Sequence, residues 1–432
     1  MANLLVRSPW RPSFAASVLL LMTSATLRAE DWPQFRGPNR DGAWPEEGLL
    51  QSFTTAEAMI RWRASIGPGY SSPVVAHGVV YVSDVELVPP QARERVLAFD
   101  EATGIPRWSH ARDVAYPDWV FTPEGRRGPT ATPVVQDGRL FTVGALGDLL
   151  CLDALTGEVL WEKNLATEYK VTEFSTNASP LIEDDLLILF IGGQTAACVV
   201  ALDKISGTEI WKALDESVTN SSPIVVTAGG RRQLIVWTQE SVTSLNPRTG
   251  ETWWRQGLLT SSDYVVSTPV YSNDRLLIGG LMMELDPDEP HAEVLWPESR
   301  ATARRVFSNT STALIRGDYV FSAKSSGELI CLDASTGDQL WETDEVTDVR
   351  SGASMHLTDN GDSVLIYNER GELIRAQLTP LGYHEISRVA LVNPTYPFGG
   401  RNVVWPPAAF ANGHFFARSD EELVCASLIA GQ

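Results

Sequence analysis

The chain has 432 residues, 44% of them hydrophobic, with 34 basic against 54 acidic side chains and a formal net charge of −20. Such a composition supports a large core, while so acidic a surface repels phosphate backbones and anionic headgroups, arguing against nucleic-acid and membrane-surface binding. Length alone would allow two or three domains.

Residues 1–29 read as a secretory signal peptide. Arg7 and Arg11 form a positive start, Ala15 to Met22 a short apolar run, and Ala29 closes a small-residue cleavage site. The apolar run falls well short of the roughly 20 residues a spanning helix needs. Removing it takes away Arg7, Arg11 and Arg28 and no acidic residue, so the mature charge becomes 31 − 54 = −23. No cysteine lies near the cut, so no lipid anchor is expected on the mature N-terminus. No later segment reads as a membrane span, and the expected location is periplasmic or extracellular.

Residues 30–66 read as an arm followed by a strand. Asp31 to Ser65 is rich in Trp, Pro and Gly and is expected to wrap the fold, anchored by Trp32, Phe35 and Trp44. Its last stretch, Ile60 to Ser65, carries Trp62.

From residue 67 onwards one eleven-residue phrase governs the sequence. It occurs at Ala98–Trp108 (AFDEATGIPRW), Cys151–Trp161 (CLDALTGEVLW), Ala201–Trp211 (ALDKISGTEIW), Ser244–Trp254 (SLNPRTGETWW) and Cys331–Trp341 (CLDASTGDQLW). A lengthened copy spans Glu284–Trp296, and a worn one spans Ala376–Ile386. The closing positions are 53, 50, 43, 42, 45 and 45 residues apart. A period of this size marks one supersecondary unit that buries its apolar face only against copies of itself.

The second unit shows the construction. Ala131 to Val135, Arg139 to Ala145, Gly147 to Asp153 and Glu158 to Lys163 read as four strands. Turns at Asp137-Gly138 and Leu155-Thr156-Gly157 supply the positive φ that tight hairpins need. Asp153 can accept hydrogen bonds from turn amides, and Trp161 is a flat wedge suited to packing one unit on the next. Because Asp100, Asp153, Asp203 and Asp333, and Trp62, Trp108, Trp161, Trp211, Trp254, Trp296 and Trp341, recur at one register, they read as architecture. Units open with Ser/Thr-Pro at Ser72, Thr132, Ser179, Ser222 and Thr268, where proline suits an inner-edge strand start. Cys151, Cys331 and Cys425 share one slot of the third strand and Cys198 lies on its equivalent, so they read as buried thiols in separate units.

After the worn copy, Trp405 to Leu428 supplies only three strands. The fourth is available at Trp62. The expectation is an all-β, eight-bladed β-propeller of four-stranded antiparallel blades spanning 67–432, closed by pairing the N-terminal strand with the C-terminal blade.

The Leu-Asp-x-x-Thr-Gly-x-x-x-Trp phrase resembles the repeat of pyrroloquinoline-quinone (PQQ) dehydrogenase-like propellers. That superfamily includes quinoprotein alcohol dehydrogenases and the propeller lipoprotein of the outer-membrane assembly machinery. Asp31 to Gly42 further resembles secreted PQQ-like repeat proteins. The likeness covers about residues 31–430 and is specific for fold, whereas one propeller scaffold hosts both catalysts and interaction modules. The dehydrogenases hold their quinone between a tryptophan and a disulfide of adjacent cysteines, with Ca²⁺ beside it. This sequence has no adjacent cysteine pair, and none of its residues is assigned to PQQ or Ca²⁺ binding.

Other chemistry finds little support. His77, His110, His291, His356, His384 and His414 are scattered without zinc spacing, and Asp286 to Glu289 lacks the glycine and terminal glutamate of a calcium loop. No G-x-S-x-G elbow is present. Sequons at Asn177, Asn220 and Asn309 share one register and read as repeat geometry. No catalytic, cofactor-binding or metal-binding residue is therefore expected.

Function should sit on loops. His110 to Thr130 contains Tyr116, Trp119, Phe121, Arg126 and Arg127; Ser387 to Pro407 contains Tyr396, Phe398, Arg401 and Trp405. Other connections read as short, apart from a widened hairpin at Glu86 to Arg95. These aromatics and arginines are hot-spot residue types. The sequence points to a monomeric, non-catalytic envelope module that engages a protein partner or a polysaccharide without a cofactor. The alternative is a PQQ- and Ca²⁺-dependent dehydrogenase with a degenerate site.

Overall fold

Short alternating strands broken by glycine turns fold locally into hairpins, and a computed structural model shows four such strands per repeat. It describes residues 30–125, 127–171, 177–260, 264–297 and 307–431. The expected signal peptide and Arg126 lie outside the described residues.

Eight four-stranded antiparallel sheets form the blades. In chain order they span 74–114, 134–164, 181–213, 224–257, 270–296, 314–343 and 355–390, and the eighth combines 409–427 with 60–65. The only helices among the described residues are single turns, Ala56–Met59, Asp118–Phe121 and Leu165–Tyr169. No helix among them is long and apolar enough to cross a membrane. Inner strands are short, as at Val74–Ala76 and Val134–Gln136, because the ring narrows toward its axis and a proline stands ahead of each. Middle strands such as Asp148–Asp153 are buried almost throughout, while outer strands such as Val159–Asn164 face solvent.

The ring closes by strand exchange. Ile60–Ser65 pairs antiparallel with Glu422–Ser427, with Trp62 opposite Cys425 and Ala64 opposite Leu423. Closure removes the two free edges an open array would expose.

The core consists of layers between blades. One cluster joins Phe141 and Leu149 of blade 2 to Leu187 and Val200 of blade 3; another joins Phe321 of blade 6 to Leu357 and Ile374 of blade 7. Cys151, Cys198, Cys331 and Cys425 are unpaired and buried within such layers, and burial pushes the Cys331 thiol up to about 11.

Two devices recur at the seams. In the first, the Nε1–H of six of the seven closing tryptophans donates to a turn carbonyl of the next blade: Trp62 to Glu101 at 2.8 Å, Trp108 to Ala154 at 3.1 Å, Trp161 to Lys204 at 3.3 Å and Trp211 to Pro247 at 3.1 Å. Trp296 reaches Ala334 and Trp341 reaches Thr379 in the same way. In five of the six the indole lies on the glycine of that turn. A Cβ on Gly157 would sit 2.5 Å from the Trp108 ring, and one on Gly104 2.5 Å from Trp62. Within the turn, Asp153 Oδ1 accepts from the amides of Leu155 and Thr156 and from the Thr156 hydroxyl; Asp100, Asp203 and Asp333 act alike.

The second device is a hydroxyl belt around the axis. The Ser72 amide donates to Thr132 Oγ1 at 3.0 Å, Thr132 to Ser179 Oγ at 3.1 Å, Ser179 to Ser222 Oγ at 3.0 Å, and Thr268 to Thr312 Oγ1 at 3.1 Å. The side chain of the Ser/Thr-Pro dipeptide thus links blades, while its proline opens the strand.

Two expectations require correction. The first part of the arm enters the channel, while residues 48–53 run out past the C-terminal strand to Ser387 on the outer strand of blade 7. Trp32 exchanges both backbone hydrogen bonds with Val75 of blade 1, Pro33 accepts from Val135 of blade 2, Arg40 donates to Pro180 ahead of blade 3, and Trp44 bonds Asp359 of blade 7. Trp32 and Trp44, 2% and 1% exposed, both pack on Phe410 of the inner strand of blade 8. Aromatic residues too large for a thin surface strap are buried at the axis. Connections at 165–180 and 297–313 are also long, so length alone does not single out the two aromatic loops.

Two predictions follow from this geometry. Gly138 and Gly157 share nearly the same φ, 73° and 76°, but a Cβ on Gly138 meets nothing within 4 Å. Gly138→Ala should cost about 1 kcal/mol from backbone strain alone, and Gly157→Ala at least twice as much in chemical denaturation. Equal costs would refute the indole–glycine contact. The turn aspartates titrate below the ordinary carboxylate range, held there by Arg107 for Asp100, the Thr156 amide for Asp153, and the Ser206 and Ser335 hydroxyls for Asp203 and Asp333. A carboxyl depressed on folding stabilises fully above its unfolded pKa, near 4, and loses that contribution as pH falls through its folded value. The melting-temperature gap between wild type and Asp153→Asn should therefore be wide at pH 6 and shrink by pH 3.

Candidate functional site

The face where the chain crosses from one blade to the next brings three loops together. Tyr396–Phe398 and Arg401–Val403 form a two-stranded hairpin before blade 8. Gly399 and Gly400 form its turn at φ 58° and 79°, a pattern that suits a two-residue hairpin. The Tyr396 hydroxyl donates to the Glu124 carbonyl at 2.6 Å, joining this hairpin to the loop before blade 2. The third member is Tyr70, from the short connection into blade 1.

Their rings form one cluster. Tyr396 and Trp405 have centroids 5.0 Å apart, Phe398 meets Trp405 edge-on at 4.9 Å, and Tyr70 stacks on Trp405 at 6.2 Å with planes 28° apart. The Trp405 indole donates to the Gly352 carbonyl at 3.1 Å, while its own carbonyl meets His356 Nε2 at 2.8 Å. Burial holds that imidazole near 4, so it is neutral at physiological pH.

The candidate residues divide clearly. Tyr396, Phe398 and Trp405 are half-buried members of the cluster. Trp119 is 43% exposed, and the Arg127 guanidinium stands 5.3 Å from its ring, a cation–π distance. Tyr116 turns inward: its hydroxyl donates to Glu94 Oε1 at 2.5 Å, and the Ala145 amide donates to the same oxygen. Burial raises the Glu94 carboxyl above its ordinary range. Phe121 packs in the small cluster around Tyr116, Val85 and Ala92, so the widened hairpin of blade 1 supports the loop. Arg401 also serves the scaffold, donating to the Ser351 carbonyl at 2.9 Å and standing 3.3 Å from Asp348 and 3.8 Å from Glu369. Arg126 lies outside the described residues.

Sequence reading overlooked Tyr70 because its loop is short. The signal was glycine. A Cβ on Gly67 would sit 2.2 Å from the Val85 carbonyl oxygen, and one on Gly128 2.6 Å from that of Pro68. Glycines in two facing loops marked where backbones touch.

Among the described residues of this face, Glu94, Asp348 and Glu369 are occupied by Tyr116, arginines and backbone amides. A quinone with Ca²⁺ does not fit the axial cavity. The axial cavity holds about 30 Å³, room for water-sized species and far too little for a fused tricarboxylate ring system. Among the described residues no three His, Cys, Asp or Glu side chains gather to hold a metal.

Fold and repeat together define the class, an eight-bladed propeller of PQQ-like repeats. The chain belongs to the family described as outer membrane protein assembly factor BamB, whose profile matches residues 45–199 and 195–380. The BamB of Burkholderia pseudomallei strain K96243 is 24% identical over 222 residues, covering 49% of this chain and 54% of that protein. The quinoprotein ethanol dehydrogenase of Pseudomonas aeruginosa is 30% identical over 128 residues, 27% of this chain and 20% of that enzyme. The chain thus spans about half the length of the first relative and a fifth of the second. Among solved structures, BamB of Moraxella catarrhalis aligns with TM-score 0.56 and 15% identity, covering 81% of this chain and 98% of that one. The quinohemoprotein alcohol dehydrogenase of Comamonas testosteroni aligns with TM-score 0.65 and 12% identity, covering 93% and 81%. At these identities the two structures establish the fold alone.

Because Arg401 ties the hairpin to blade 7, Arg401→Ala should raise amide hydrogen exchange over 396–403 by tenfold or more, the equivalent of about 1.4 kcal/mol. The melting temperature of the ring should move little. Unchanged exchange would show that the aromatic stack holds the hairpin unaided.

Proposed function

We propose that this chain is an exported, non-catalytic propeller that serves the cell envelope as a binding or scaffold module, holding a protein partner on its loop face. The observation carrying this reading is the joining of three loops into one aromatic platform, with the Trp119–Arg127 pair at its margin. Aromatic and arginine side chains on a fixed scaffold are what protein hot spots are made of. The relatives named as outer membrane protein assembly factors support the same class of partner. The chain as a whole is strongly acidic, which favours a partner of opposite or neutral charge.

The platform also presents flat ring faces on which a sugar could stack, so a polysaccharide is the competing occupant. The test is binding of the purified chain to outer-membrane assembly components of its own host, beside a glycan array. Trp119→Ala and Arg127→Glu should each weaken protein binding about tenfold, a loss of about 1.4 kcal/mol. Wild-type affinity in both variants, or binding to glycans alone, would overturn the reading. Dye reduction on alcohols after adding PQQ and Ca²⁺ would favour the dehydrogenase alternative instead.

A further inference from the structure

The arm carries two arginines into the channel, and neither meets a carboxylate there. Arg40 is 5% exposed. Its Nη1 donates to the Pro180 carbonyl at 2.8 Å and to Gln34 Oε1 at 3.3 Å, and its Nη2 to the Ser179 carbonyl at 3.2 Å. Arg36 Nη2 donates to the Asp41 carbonyl at 2.9 Å. All of these acceptors are neutral, and the Nε of each arginine is buried without a partner. Asp41 acts on Arg36 through its charge but forms no ion pair with it. The Asp41 side chain caps the Ala43 amide on the exposed side of the arm, and Asp359 stands 3.5 Å from Arg316. Burial lowers both guanidinium pKa values, Arg36 to about 10 and Arg40 to about 9, with repulsion from Arg36 adding to the latter. Both therefore remain cations at neutral pH.

Arg36 lines the axial cavity of about 30 Å³, opposite Thr310, Thr312 and His356, with Trp32 and Phe410 among its apolar walls. His356 is uncharged there, and the Arg36 guanidinium helps keep it so. Arg40 is buried and Arg36 partly so, and the exposed Asp41 is the opposite charge that acts on Arg36. Two like charges this close are costly, and an anion beside Arg36 relieves that cost. The volume admits one or two water-sized bodies; tetrahedral oxyanions and organic carboxylates are too large. Apolar walls beside one guanidinium suit a weakly hydrated, monoatomic anion.

We propose that the axial cavity is a halide site, binding one chloride-sized anion against Arg36 and so fixing the arm in the channel. Nothing in this inference depends on the partner-binding role. The purified chain would be melted in sodium chloride, sodium bromide and sodium gluconate at equal ionic strength, and bromide-soaked crystals examined for anomalous scattering. The melting temperature should rise saturably with chloride or bromide by about 2 °C or more over gluconate, with an anomalous peak beside Arg36 Nε. Arg36→Gln should abolish the halide-specific rise. Equal melting in chloride and gluconate, or a bromide map empty at the axis, would overturn the proposal. Should Arg36→Gln fail to fold, the wild-type bromide map decides alone.

Discussion

Blades pack on one another through shared apolar layers, and at the outer rim the tryptophan of one blade takes hold of the hairpin turn of the next. The indole lies against the turn glycine while its N–H reaches a carbonyl of that turn. Buried tryptophan side chains are worth about 3–5 kcal/mol each, and the hydrogen bond about 1 kcal/mol more. Three constraints meet wherever the phrase is intact: an aspartate or asparagine to shape the turn, a glycine to admit the ring and a tryptophan to fill the space. That triple dependence accounts for the fixed spacing of the eleven-residue phrase.

The architecture was legible for that reason. Asp153, Gly157 and Trp161 lie within nine residues of one another and recur in phase, so periodicity exposed blade number, strand order and terminal closure. The hydroxyl belt was only half legible. The Ser/Thr-Pro dipeptides stood out, but their proline explained them so well that the side chain beside it went unread. A hydroxyl bonding a blade some 45 residues away leaves no local mark. The course of the arm was hidden in the same way: Trp32 and Trp44 announced burial, but only the closed ring creates the axial pocket that receives them.

The loop face was legible in composition and not in arrangement. Aromatic-rich segments were visible, yet similar residues serve opposite ends. Tyr116 supports the loop from beneath through Glu94, and Trp119, three positions on, faces solvent. Arg127 stands by a ring, whereas Arg401 anchors a hairpin among Asp348 and Glu369. Side-chain direction in irregular loops follows from tertiary contacts, which no local pattern encodes.

The lengthened phrase of blade 5 leaves its mark on the seam before it. With no Thr-Gly turn to receive it, the Trp254 indole bonds Gln233 of its own blade at 2.9 Å. Among the described residues the belt also lapses there, since Ser222 and Thr268 are not joined. Among the described residues, blades 4 and 5 share apolar packing and the exposed Tyr271–Thr227 hydrogen bond. A permuted chain that begins at blade 5 would therefore sever, among those residues, neither an indole–turn contact nor a hydroxyl link.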